Sequence, residues 1–62
     1  MAAIDTFDWL VQQVWPNPDD ETKRTIKERR DMLIRMRSET ERLRFVEEVM
    51  QQVREAKKKK VA

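Results

Sequence analysis

Cysteine, glycine, histidine and tyrosine are all missing from this 62-residue chain, which has two prolines and a single serine. Each absence excludes something. Without cysteine there is neither a disulfide nor a thiolate–metal site to stabilise a small fold. Without glycine there is no Gly-rich loop to cradle phosphates. The missing histidine and cysteine remove the commonest acid–base group and the most reactive nucleophile. Ser38 has no histidine partner, and the adjacent Glu47 and Glu48 fall on a solvated helix face, where nothing excludes water. The expectation is therefore a protein that is not an enzyme and has no cofactor. No run approaches the ~20 apolar residues that span a bilayer. The first residues lack a basic region and are interrupted by Asp5 and Asp8, so a signal peptide and a membrane role are not expected. The expected compartment is the cytoplasm, with the nucleus as the alternative.

What remains is the vocabulary of helices. Charged residues make up 42% of the chain, and the non-polar positions recur at helical spacing rather than in alternation. The predicted fold class is all-α: a short N-terminal helix over about residues 4–15, a proline turn, then helices over about 18–37 and 39–57. These form one small helical domain, residues 1–56, followed by a basic tail, residues 57–62. One core is marginal at this length. An oligomeric helical bundle is accordingly expected, built from copies of the chain, from another protein, or from both.

The segment from Ser38 to Ala56 has the cleanest pattern. At about 100° per residue, Leu43, Phe45, Val46, Val49, Met50, Val53 and Ala56 fall within an arc of roughly 160°. Ser38 with Glu41 three residues later forms a capping-box sequence at its start. In the first helix Ile4, Phe7, Leu10, Val11, Val14 and Trp15 form one stripe. Asp5 reads as its N-cap, with Ile4 and Trp9 as a hydrophobic staple. Trp9 lies off the stripe and is either that staple or an aromatic anchor for a partner.

Pro16 ends the first helix, because the residue before a proline avoids helical geometry. Asn17 reads as the next N-cap with Pro18 at the first helical position. Asp19, Asp20 and Glu21 then suit the positive end of the helix dipole, which makes a metal site unnecessary to explain them. The apolar faces of the second and third helices differ in phase by roughly 120° on a 100° wheel. Either the helix breaks near Ser38, the reading adopted, or one long bent helix packs its halves against different neighbours. Arg29 falls in the middle of the second helix's apolar face, where it either snorkels or pairs with an N-terminal acid.

Charge comes in blocks. Residues 1–21 carry five acids and no base, residues 22–37 seven bases against two acids, residues 38–56 three bases against five acids, and the tail four lysines. The leading functional expectation is a small protein–protein interaction module, an adaptor or assembly piece that also self-associates. Its interface residues are expected to be Phe7, Trp9, Leu43, Val46, Val49, Met50 and Val53. The alternative is a nucleic-acid-binding protein using Lys23, Arg24, Lys27, Arg30, Arg35, Arg37 and the tail. Acids that interrupt the basic stretch, and the lack of Phe or Tyr between its bases, weigh against it. Lys57–Lys60 resembles a minimal nuclear localisation run. Lys59-Lys60-Val61-Ala62 is similar to the dilysine retrieval signal of endoplasmic-reticulum membrane proteins, although the chain has no membrane-spanning segment for such a signal to follow.

Overall fold

The structure, a computed structural model, describes residues 2–61. Three helices account for most of them: α1 (Ala3–Val14), α2 (Asp20–Arg35) and α3 (Glu39–Val61), with no strand among the described residues. The helices run up, down and up. Asp8 of α1 meets Arg30 of α2, Asp19 at the start of α2 meets Lys60 near the end of α3, and Lys57 of α3 reaches the last turn of α1. Helix α2 is thus antiparallel to both neighbours, and α1 and α3 are parallel. At 1.5 Å per residue the 23-residue α3 is about 34 Å long, which matches the 35 Å long dimension of the molecule.

The core is one stripe from each helix. Ala3, Phe7, Val11 and Trp15 repeat every four residues along α1. Leu33 comes from α2, and Val46, Val49, Met50 and Val53 come from α3. Phe7, Leu33, Met50 and Val49 are the largest fully buried side chains. Leu43 stood at the edge of the α3 arc and is left out: it lies nearer the start of α3 than the buried stripe, which begins at Val46, and remains half exposed.

Both chain reversals are made without glycine. No described residue has positive φ, so neither α1 nor α2 ends in the usual left-handed cap. Trp15 stops α1 in a non-helical conformation (φ −153°, ψ 88°), as expected before Pro16, and its N–H still closes a bond to the Val11 carbonyl. Met36 stops α2 in an extended conformation (φ −72°, ψ 142°). The chain breaks at Met36–Ser38, so the long bent helix does not form. Ser38 Oγ then accepts from the Glu41 N–H at 3.3 Å, as the capping-box sequence suggests.

Three expected boundaries move, each for a tertiary reason. Helix α1 starts at Ala3, with Ala2 rather than Asp5 as its N-cap. The extra turn buries Ala3 in the core, which outweighs a side-chain cap, and without an Asp5 cap the Ile4–Trp9 staple has no basis. Helix α2 is capped by Asp19, not Asn17; Asp19 Oδ1 accepts from the Thr22 N–H at 3.2 Å. Asn and Asp cap about equally well, and Asp19 is the one within reach of Lys60. Helix α3 continues through the lysines to Val61 instead of ending near residue 57, because Lys57 and Lys60 both find acceptors on the other helices.

Candidate interaction surface

The core stripe of α3 is continued at both ends by cations. Arg42, Val46, Val49, Val53, Lys57 and Lys60 follow one another at intervals of three or four, so they share one face of the helix. Each of the three cations ties down the end of another helix. Arg42 Nε donates to the Met36 carbonyl at 2.7 Å, satisfying the C-cap of α2. Lys57 Nζ donates to the Val14 carbonyl at 3.1 Å, doing the same for α1. Lys60 Nζ donates to Asp19 Oδ2 at 2.8 Å and lies 3.7 Å from Glu21. Carbonyls in the last turn of a helix have no intrahelical partner and carry partial negative charge, which is why cations suit them.

The Asp19–Lys60 contact shifts both groups. The hydrogen bond from Lys60, helped by the Thr22 N–H, holds the Asp19 carboxyl down at about 2, and the same contact pushes Lys60 above its ordinary value. A second clip joins α1 to α2: Arg30 grips Asp8 with two parallel bonds of 2.9 Å each. Asp8 holds the Arg30 guanidinium above its ordinary value. Arg30, rather than Arg29, is thus the partner of an N-terminal acid, the second of the two readings open to Arg29. Arg29 itself is half-buried and directs Nη1 toward Met32 Sδ at 3.6 Å. The Asp8–Arg30 pair is invisible to pattern reasoning, because its members are 22 positions apart and sit on different helices.

The expected interface residues divide sharply. Phe7, Val46, Val49, Met50 and Val53 are at most 3% exposed and are covered by the chain's own helices. Trp9 and Leu43 stand out at 57% and 51% exposure. Of the expected nucleic-acid contacts, Lys23, Arg24, Lys27, Arg35 and Arg37 are exposed and form no ion pair among the described residues, whereas Arg30 is occupied by Asp8. On α2 these cations alternate with exposed Asp20, Glu28 and Asp31, so no uninterrupted basic face results.

Comparison with protein-family models, with curated proteins and with solved structures finds no match to this chain. The site therefore rests on geometry. Trp9 lines an open groove of about 550 Å³ between α1 and the C-terminal half of α3. Leu10 and Val14 form its apolar floor, and Arg54, Lys57 and Lys58 line the opposite side. A second groove of about 320 Å³ runs between α1 and α2 past Val11, Pro16, Pro18 and Ile26. No group of three acidic, histidine or cysteine side chains among the described residues is arranged to hold a metal. No helix among them is long and apolar enough to cross a membrane.

Proposed function

We propose that this chain is a small helical protein–protein interaction module, an adaptor or assembly piece that binds rather than catalyses. The observation that carries the reading is Trp9. In a chain that buries its other tryptophan to 7% exposure, this indole is 57% exposed and lies beside further apolar groups in a groove. Exposed tryptophans next to apolar surface are enriched among the residues that dominate binding energy. The module acts in the cytoplasm or nucleus. Self-association is part of the proposal. Copies of the chain meet through surface groups such as Leu43, because α3's central stripe already faces its own α1 and α2.

The competing reading is nucleic-acid binding through Lys23, Arg24, Lys27, Arg35 and Arg37. Its support is their exposure; the acids interleaved with them on α2 weaken it. One experiment separates the two: co-purification of the tagged chain and its Trp9→Ala variant, with duplex DNA affinity measured across salt. The interaction reading expects Trp9→Ala to lose the bound protein with helical content unchanged. It also expects DNA binding weaker at about 150 mM salt than the roughly 10⁻⁸–10⁻¹¹ M of specific complexes. Tight DNA binding with a log–log salt slope of about −4 or steeper, unaffected by Trp9→Ala, reverses the assignment.

A further inference from the structure

The groove between α1 and α3 carries a charge pattern that narrows the kind of partner. None of the residues lining it is acidic. Its α1 wall is mostly apolar, with Trp9, Leu10 and Val14 beside the uncharged Gln13, and its α3 wall is cationic, with Arg54, Lys57 and Lys58. The two walls are locked together, because Lys57 Nζ donates to the Val14 carbonyl at 3.1 Å. That bond fixes the cationic wall against the end of α1. Arg54 and Lys58 are four positions apart on one helix, so they project from the same side one turn apart, and both are exposed. Neither forms an ion pair among the described residues. A largely apolar wall opposite a cationic wall complements a helix with an apolar face flanked by carboxylates.

We propose that this groove docks an acidic amphipathic helical segment of a partner protein. Its apolar anchors pack on Trp9 and Leu10, and its carboxylates face Arg54 and Lys58. The inference rests on the interaction-module reading and adds the chemistry of the partner to it. Charge complementarity sets orientation and association rate, while the desolvated indole supplies affinity. A nucleic acid fits less well: only one aromatic side chain lines the groove, so successive bases would have no second platform to stack on. The acids Glu47, Glu48 and Glu55 are also exposed on α3 and oppose an extended phosphate track.

The test uses three probes on the full chain. One is a labelled 18-residue designed peptide with Leu and Phe at helical a and d spacing and Glu elsewhere. The second is the same peptide with Lys for Glu, and the third is a 12-residue oligothymidylate. Binding is followed by anisotropy against wild type, Trp9→Ala and the double variant Arg54→Glu/Lys58→Glu. All three substituted side chains are exposed, and circular dichroism confirms that the variants keep their helix content. The expected result is micromolar binding of the Glu peptide, at least tenfold weaker binding of the Lys peptide, and at least a tenfold loss in both variants. Equal binding of the two peptides, or no loss in the charge-reversal variant, overturns the acidic-partner inference. If Trp9→Ala still weakens both peptides equally, the interaction reading itself stands. Binding of neither peptide sinks the inference, as does preferential binding of the oligothymidylate, which would move the groove to nucleic acid.

Discussion

Helices α1 and α2 both lean on α3, and they are held by different forces. Helix α1 spans 12 residues and buries Ala3, Phe7 and Val11, with Trp15 buried at its C-cap. Helix α2 spans 16 residues and buries only Thr22 and Leu33. Where α2 lacks apolar area it has polar contacts at its ends and flank. Asp19 is clipped by Lys60, the Met36 carbonyl by Arg42, and Arg30 holds Asp8. Apolar burial is insensitive to salt and pH, whereas half-exposed ion pairs are screened and contribute little each. The α1–α3 pair should therefore be the stable unit and α2 the first element to open.

Removing what both sides share gives the largest expected effect. Val49 is 1% exposed at the centre of α3. Val49→Asp places an unpaired carboxylate there, at a cost of about 5 kcal/mol, of the order of the whole stability of a small domain. Circular dichroism should show loss of the helical signal for all three helices together. A folded variant would mean that this core is not the common support.

Leu33→Ala tests α2 alone, since Leu33 is its one fully buried apolar side chain. The expected loss is about 2–5 kcal/mol. Amide hydrogen exchange should show residues 20–35 losing protection well before residues 7–11 and 46–53. Equal loss in all three helices would erase the distinction between α1 and α2.

The Asp19 clip gives a smaller effect with a defined pH window. The carboxyl titrates at about 2 in the folded chain against an ordinary 3.8. A lowered folded value means that the carboxylate's contribution is complete well above 3.8 and is lost as pH falls from there through about 2. Asp19→Asn retains a capping side chain and removes the charge facing Lys60. Urea midpoints should therefore differ between wild type and variant at pH 6, with the gap shrinking to a small fraction by pH 2. A gap that is as large at pH 2 as at pH 6, or is unchanged in 1 M salt, would show that the clip is not electrostatic.

The smallest effect belongs to Trp9→Ala. With its side chain largely in solvent, stability should move by no more than about 0.5 kcal/mol. A thermal melt showing a loss several times larger would make Trp9 a structural residue and remove the ground for reading it as an anchor.

Much of this fold was legible in the chain. The Phe7–Val11–Trp15 and Val46–Val49–Met50–Val53 stripes identify the faces that meet, because helical periodicity is a local property. The phase change between Met36 and Leu43, with Ser38 poised to cap, marks the break even without glycine. The site was only half legible. Trp9 stood off its stripe and proved exposed, but the same periodicity placed Leu43 with the core and could not say which part of a 160° arc two neighbours would cover.

Sequence by itself determined that the chain would be helical, where its apolar faces lie, and that cysteine and histidine chemistry has no place in it. Tertiary structure decided the rest. Asn17 and Asp19 are equivalent caps until Lys60 arrives beside one of them, and Ala2 displaces Asp5 only because burying Ala3 rewards an earlier start. The lysine run reads as a loose tail until Lys57 and Lys60 reach carbonyl and carboxylate oxygens 43 and 41 positions away. Patterns along the chain report which residues share a face of one helix. Which helix end lies within hydrogen-bond reach of a given cation is set by how the three helices cross, and local sequence does not encode that.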